Sequence, residues 1–262
     1  MRLEDDDRPI GRILSRREVL ALLGATGLAA ACAPAVLSGA SPTAGASAAP
    51  IATAAATTGG TVATPSCIVR PALTEGPYFV DEKLNRVDIR SDPSNGAVKP
   101  GLALALTFNV SRVSSAGCVA LQNAQVDIWH CDALGVYSDA SDPSFNTKGQ
   151  KFLRGYQVTD GAGKATFTTI YPGWYGGRAV HIHFKIRTTV AGGAVSDFTS
   201  QLFFDDALNA QVFAQAPYSQ KGSTGWMKNA QDGIYTGGGD KLLLKPTQTG
   251  SGYTATFDIG LA

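Results

Sequence analysis

The sequence has few charged residues, few histidines and few cysteines. Of its 262 residues 16% are charged, and 22 lysines and arginines nearly balance 21 aspartates and glutamates, for a formal net charge of +1. The basic residues are dispersed along the chain, so neither nucleic acid nor an anionic membrane surface is an expected partner. No cysteine has a CxxC neighbour, which favours a structural disulfide over metal ligation by cysteine.

The apolar run at residues 20–31 is too short to cross a bilayer as a permanent helix. It follows the motif SRR at residues 15–17 and ends in small residues, an order that predicts a twin-arginine export signal over residues 1–32. Three alanines directly before Cys32 add an alternative, in which a lipid is attached to that cysteine after cleavage. We therefore expect an exported protein, either extracellular or associated with the cell envelope, with or without this lipid anchor.

Residues 33–66 are mostly Ala, Gly, Ser, Thr and Pro. Such a composition buries too little apolar area to offset the entropy lost on ordering, so it predicts a disordered tether. Residues 67–262 then form one folded domain. Disulfides persist in oxidising compartments, and Cys67, Cys118 and Cys131 allow at most one internal pair, unless Cys32 takes part. The sequence does not specify which two of these cysteines pair.

Apolar residues alternate with other residues repeatedly from Leu102 onward, a pattern that predicts half-buried strands. Turn clusters rich in Gly, Ser and Asp separate these segments. The one persuasive helical stretch is short, around residues 206–215. The pattern predicts an antiparallel β-sandwich with long loops and little helix.

The stretch HIHFKI at residues 181–186 contains two of the three histidines. Alternation along this strand places His181 and His183 together on the face opposite the apolar residues, where two imidazoles could bind one ion. The alternative is a solvated face that carries histidines by coincidence. His130 is the remaining histidine, and Asp205 or Asp206 could supply a carboxylate. A carboxylate would favour non-heme Fe(II), and a third histidine would favour zinc or copper.

The loop before these histidines, YPGWYGGR at residues 171–178, is rich in glycine. Glycine allows sharp turns and close backbone approach, so the loop could present Tyr175 toward an ion held by His181 and His183. A highly charged ion can depress the pKa of a phenol, which is normally near 10, until it binds as phenolate. Hard trivalent iron would favour this anionic oxygen.

With these motifs together, the sequence resembles the intradiol ring-cleavage dioxygenases, the family of the catechol and protocatechuate dioxygenases. The resemblance covers most of residues 67–204 and rests on five stretches in the family's order: TEGPYFVD (74–81), VDIWHCDALGVYSD (126–139), FLRGYQVTDGAGKATFTTIYPG (152–173), the loop 174–178 and HIHFKI. The Gly-x-Tyr, Pro-Gly-x-Tyr and Arg-x-x-His-x-His motifs in this order are more specific than HxH alone.

The resemblance implies an enzyme with a non-heme Fe(III) cofactor, a catecholic substrate and O2. Matched position by position, the ligands would be Tyr137, Tyr175, His181 and His183. The ring would open between its two hydroxyl-bearing carbons to give a cis,cis-muconate-type diacid, with Tyr175 leaving the iron to act as a base. Further family positions fall on the active-site residues Arg178 and Gln201, and on the substrate-contacting candidates Tyr78 and Trp174.

Packing roles are the alternative for Tyr78 and Trp174, and we expect His130 to be structural. Two other functions remain open from the sequence. The first is a metal hydrolase or Fe(II) oxygenase that uses His181, His183 and an aspartate, which leaves both tyrosines without a role. The second is an exported β-sandwich that binds aromatic polymers or carbohydrate without turnover. The identity of the catechol and the oligomeric state are not specified by the sequence.

Overall fold

The computed structural model describes residues 68–189 and 193–262. The predicted export signal (1–32), the predicted tether (33–66), Cys32 and Cys67 lie outside these ranges. Within the described residues, no helix is both long enough and apolar enough to cross a membrane.

β-Strand is the main regular secondary structure of the described residues. The strands are β1 (Ala103–Ser114), β2 (Gly117–Ala120), β3 (Gln125–Trp129), β4 (Ser141–Asp142), β5 (Phe145–Asn146), β6 (Arg154–Val158), β7 (Lys164–Ile170), β8 (His181–Thr189), β9 (Val195–Phe203), β10 (Thr247–Thr249) and β11 (Gly252–Leu261). Two short α-helices lie between β9 and β10, namely α1 (Asp206–Phe213) and α2 (Gly233–Thr236). Single 3-10 turns occur at Tyr218–Lys221, Asn229–Gln231 and Gly239–Leu242.

The strands form two main sheets that make a β-sandwich, as the sequence predicted. The first sheet has the order β10-β11-β1-β2, and β7 also pairs with β1. The second has the order β6-β3-β8-β9 and is antiparallel throughout. The first sheet departs from the antiparallel arrangement at one pair of strands, because β1 and β11 run parallel. Strands β4 and β5 form a separate hairpin.

The core lies between the two sheets, and the predicted alternation identifies its residues correctly. Leu104, Leu106, Phe108 and Val110 of β1 are buried, and so are the apolar residues of β8. The rings of Phe108 and Phe184, from opposite sheets, lie 5.3 Å apart between centroids. Burial of such side chains contributes roughly 1.5–3 kcal/mol each, so this alternation positions β8 firmly against the first sheet.

The other face of β8 is also buried, which alternation alone does not predict. His181 and His183 are 2% and 1% exposed. The segment 74–81 covers the strand further along, where Lys185 pairs with Glu75, and Arg187 Nη1 lies 2.9 Å from Asp81 Oδ2. The histidines therefore face an enclosed site and not solvent.

The predicted helix at residues 206–215 is present as α1, which ends at Phe213. Asp205 is its N-cap and accepts hydrogen bonds from the backbone N–H groups of Ala207 (2.8 Å) and Leu208 (3.1 Å). The short strands β4 and β5, strand β6 and helix α2 were not predicted, because such short elements lack a readable period.

Cys118 is disulfide-bonded, whereas Cys131 is a buried free thiol. This agrees with the expectation of one pair and one unpaired cysteine.

Candidate active site

Four side chains from two loops and one strand converge on a single point. The Nε2 atom of His181 lies 3.0 Å from Nε2 of His183, 3.2 Å from the hydroxyl oxygen of Tyr175 and 3.5 Å from the hydroxyl oxygen of Tyr137. The two histidines begin β8, Tyr175 lies in the loop after β7, and Tyr137 lies in the loop after β3. The structure thus brings together all four predicted metal ligands.

Two glycines permit the loops to approach each other so closely. Gly135, two residues before Tyr137, has φ of +83°, and a Cβ there would lie 2.1 Å from the backbone oxygen of Trp174. A Cβ on Gly173 would lie 2.5 Å from the backbone oxygen of Ala133. No larger residue fits at either place without a shift of the backbone.

The tautomer of His181 is set by the backbone. Its Nδ1 lies 2.6 Å from the carbonyl oxygen of Ala179. A carbonyl only accepts, so Nδ1 carries the proton and the Nε2 lone pair points into the site. Burial lowers the pKa of His181 to about 3 and the pKa of His183 well below its usual value. Both imidazoles are therefore neutral near pH 7, which is the form that binds a metal.

His183 is held differently, by packing. Its Nδ1 has no hydrogen-bond partner among the described residues. The imidazole stacks on the indole of Trp129, with centroids 5.0 Å apart and planes at 6°. Gly76 lies against the same ring, and a Cβ there would sit 3.0 Å from Cε1 of His183. The ring is therefore oriented by its two neighbours.

The two phenols are enclosed by aromatic rings. Tyr137 is 1% exposed and stacks on Tyr78, with centroids 4.4 Å apart. Burial raises the pKa of the Tyr137 and Tyr175 phenols, and the positive charge of Arg178 acts in the opposite direction. Because this one charge does not offset burial, a phenolate here needs a more highly charged cation beside it.

The donor set of the site fits a hard trivalent metal ion. It offers two neutral imidazole nitrogens and two phenolic oxygens that can become anionic. Over the described ranges, no three His, Cys, Asp or Glu side chains are grouped so as to hold a metal. Asp205 caps α1, and Asp206 accepts a hydrogen bond from the Asn229 backbone. A carboxylate-containing site built on the two histidines therefore lacks its carboxylate.

His130 is not one of the four converging side chains, and its contacts fit the expected structural role. Its Nδ1 is 2.8 Å from the carbonyl oxygen of Cys131, and its Nε2 is 2.7 Å from the hydroxyl of Thr169. Both ring nitrogens are thus engaged in buried hydrogen bonds, so His130 is structural.

Arg178 and Gln201 meet beside the histidines. Gln201 lies opposite His183 in the β8–β9 register and is fully buried. Its Oε1 accepts a hydrogen bond of 2.6 Å from Nη2 of Arg178, and its Nε2 donates one of 2.9 Å to the carbonyl oxygen of Thr74. Asp232 accepts a hydrogen bond of 3.0 Å from Nε of Arg178. Asp232 was not predicted, because no motif of the sequence includes it.

A cavity of about 420 Å³ opens beside the two tyrosines. Its lining residues are Tyr78, Leu134, Gly135, Val136, Tyr137, Asp142, Ser144, Phe145, Tyr175, Gly176 and Lys221. Tyr78, one of the substrate-contacting candidates, lines the cavity and donates a hydrogen bond of 2.7 Å to Asp142. Trp174, the other substrate-contacting candidate, lies next to this cavity, since Lys221 is one of the lining residues. Its indole packs against the hydrophobic core and beneath the ammonium group of Lys221.

Asp142, Phe145 and Lys221 were also missed by the sequence analysis. They come from the β4–β5 hairpin and the 3-10 turn after α1, segments with no motif that could have indicated a site.

Comparison with known proteins agrees with this geometry. The family model described as Dioxygenase matches residues 74–230. The chain is 31% identical over 141 residues to catechol 1,2-dioxygenase 2 of Acinetobacter lwoffii, a match that covers 44% of this chain and 46% of the relative. The chain thus spans about half the length of this curated relative.

Two solved structures resemble the chain over most of its length. An intradiol ring-cleavage dioxygenase from Tetranychus urticae is 32% identical, with a TM-score of 0.64, over 75% of this chain and 94% of its own. The dioxygenase domain of a dioxygenase carbohydrate-binding protein fusion from Streptomyces sp. SirexAA-E is 27% identical, with a TM-score of 0.51, over 74% of this chain and 98% of its own. From the matched residues and the shared fold, the chain belongs to the intradiol ring-cleavage dioxygenase family.

Proposed function

We propose that the protein is a non-heme Fe(III) enzyme that cleaves a catechol-type ring with O2 to a cis,cis-muconate-type diacid. One observation carries this proposal. Three atoms lie within 3.5 Å of His181 Nε2, namely His183 Nε2 and the hydroxyl oxygens of Tyr137 and Tyr175. Two phenols have no use in a carboxylate-based metal site, whereas they suit ferric iron.

Tyr137, Tyr175, His181 and His183 would hold the iron. When bound, ferric iron supplies a Lewis acid and a template for a catechol that has lost its hydroxyl protons. The aromatic walls of the cavity, Tyr78 and Phe145 among them, would accept the ring beside this site. A volume of about 420 Å³ is in the usual range for small-molecule sites.

The chain's own residues then have separate tasks. Tyr175 is at once a ligand candidate and a wall of the cavity. In its phenolate form, its oxygen would take up a proton from a catechol hydroxyl and become a neutral phenol. Arg178 supplies a fixed positive charge beside the tyrosines and histidines, where it would stabilise negative charge that develops on the oxygens of the opening ring. Gln201 holds the Arg178 guanidinium through its Oε1 atom.

The competing hydrolase or Fe(II) function is less well supported, because neither Asp205 nor Asp206 reaches the histidines. A binding module without turnover would not need two phenols directed at two imidazoles. We favour the dioxygenase for these reasons.

Product analysis under labelled dioxygen tests the proposed reaction. The purified protein is loaded with ferric iron and given catechol under ¹⁸O₂, and the product is examined by mass spectrometry. We expect a ring-opened diacid that contains two labelled oxygen atoms. A product with one labelled atom, an aldehyde from cleavage beside the diol, or no ring opening of any catechol-type substrate would contradict the proposal.

We also propose that the protein is exported by the twin-arginine route. The disulfide at Cys118 supports this, since disulfides persist in oxidising compartments. This route carries folded proteins, which is compatible with insertion of the proposed iron before export.

A further inference from the structure

Asp232 is a buried carboxylate, 2% exposed, that lies just beyond the part of the chain matched by the family model. It sits at the start of α2, in the excursion between β9 and β10. Its Oδ1 caps α2 by accepting from the backbone N–H of Ile234 (2.7 Å) and Tyr235 (3.3 Å). Capping uses only one of its two carboxylate oxygens, and the other is free to act elsewhere.

The second oxygen binds the turn that leads into the metal-ligand strand. Oδ2 accepts 3.0 Å from Nε of Arg178 and 2.7 Å from the backbone N–H of Ala179. One atom therefore fixes both the guanidinium and the peptide that follows it. These hydrogen bonds are made to a charged carboxylate that is buried, where they are stronger than on the surface.

The guanidinium is fixed at a second point as well. Nη2 of Arg178 donates to Oε1 of Gln201 at 2.6 Å, while Nη1 makes no hydrogen bond to any of the described residues. Held at Nε and at Nη2, the planar group has one orientation, in which Nη1 is left for a ligand. Without Asp232, only the bond to neutral Gln201 would remain, and the long side chain could turn away.

We propose that Asp232 is a positioning residue that acts on the reaction through Arg178. The inference deepens the proposed function, and it concerns a carboxylate outside the metal ligands and outside the cavity wall. It does not require Asp232 to touch substrate or to change its ionisation. The requirement is that the carboxylate keeps Arg178 oriented toward the site.

The test compares Asp232→Asn with Asp206→Asn as a matched control. Asp206 lies in the same excursion and also accepts a backbone hydrogen bond, from Asn229, but has no bond to Arg178. Asn at residue 232 keeps one oxygen that can cap α2. Its NH₂ group replaces the other oxygen, and an N–H group cannot accept the hydrogen bonds that Arg178 and Ala179 donate. Asp232→Ser, which also caps helices, serves as the second variant in case Asn at this position fails to fold.

Kinetics with catechol distinguish positioning from a structural role. We expect Asp232→Asn to lower kcat about 10- to 100-fold, as loss of an orienting partner typically does, with little change in KM and in bound iron. The Asp206→Asn variant should match the wild type. In a protein that already carries Arg178→Gln, the Asp232→Asn substitution should lower kcat by less than about a further twofold, because its effect passes through Arg178. An equal loss in both backgrounds, or no loss in either, would overturn the proposal.

A crystal structure of the Asp232→Asn variant decides the question without turnover. The proposal requires that Arg178 leaves Gln201 in this variant, and an Arg178 that stays in place would refute it. If the wild type cleaves no catechol, the proposed function fails, while this structure still tests the role of Asp232.

Discussion

At the scale of single residues, the two histidines of the site are held by different forces. His181 is anchored by a hydrogen bond of 2.6 Å to the Ala179 carbonyl, the kind of support that metal-binding histidines usually have. His183 lacks such a bond within the described part of the chain. Its ring is confined between Trp129 and Gly76, so its geometry depends on side-chain and backbone packing.

Substitution of Gly76 by Ala tests this dependence. Gly76 has φ of +72°, and an added Cβ would lie 3.0 Å from the His183 ring. Gly96 is a matched control, because its φ is +75° and nothing lies within 4 Å of an added Cβ. Both substitutions should cost about 1–2 kcal/mol of stability through backbone strain alone. Only Gly76→Ala should weaken iron binding, measured by competition with a chelator. Equal iron affinity in the two variants would show that packing at Gly76 does not orient His183.

At the scale of elements, strand β8 carries the histidines at one end and charged residues along the same face. Asp127 on β3 lies opposite Lys185 in the β3–β8 register, and its carboxylate is 3.3 Å from Nε of Arg187. Burial nevertheless raises the pKa of Asp127 from 3.8 to about 6. The attraction of Arg187 therefore does not fully offset the loss of hydration at this carboxylate.

The raised pKa predicts a pH dependence of stability. The folded protein holds the Asp127 proton more tightly than the unfolded chain does, so this residue should reduce stability as pH rises from about 4 to about 6. Asp127→Asn, which cannot ionise, should be more stable than the wild type at pH 7, with a smaller or no advantage at pH 4.5. Urea unfolding of the wild type and of Asp127→Asn at pH 4.5 and pH 7 measures the free energies of unfolding that are compared. A difference that does not depend on pH would contradict the assigned cause.

The strands were only partly predictable from the sequence. Alternation identified the inward residues of β1 and β8 because burial on one face of a strand leaves a period of two. The parallel pairing of β1 with β11 could not be read, because alternation does not encode which strands are neighbours. The histidines were placed on the correct face of β8, but the loops that cover this face left no comparable pattern.

At the scale of the whole molecule, the site joins parts of the chain that are far apart in sequence. Thr74, Tyr137, Tyr175, Gln201 and Asp232 all contribute, from separate loops and strands. The family motifs pointed to the four ligand candidates and to Arg178, since these occur in short recognisable stretches. Asp142, Lys221 and Asp232 could not be predicted, because only the folded chain brings them to the site.

The proposed export also concerns the whole molecule, and substitution of the arginine pair in the SRR motif tests it. Replacement of both Arg16 and Arg17 by lysine keeps the charge and should stop transport, because the route reads the paired arginines themselves. Cell fractionation followed by immunoblotting would show the protein retained in the cytoplasm. If the lysine variant is exported as efficiently as the wild type, a different export route is in use.

The most direct test of the proposed ferric tyrosinate site is a visible absorption spectrum recorded together with iron content, before and after anaerobic addition of catechol. We predict about one iron per chain, a strong visible band from phenolate bound to ferric iron, and a shift of this band when catechol binds. The band should weaken in Tyr137→Phe and in Tyr175→Phe, each of which removes one phenolate. A wild-type protein that remains colourless and free of iron after ferric reconstitution would contradict the assignment of Tyr137, Tyr175, His181 and His183 as an iron site.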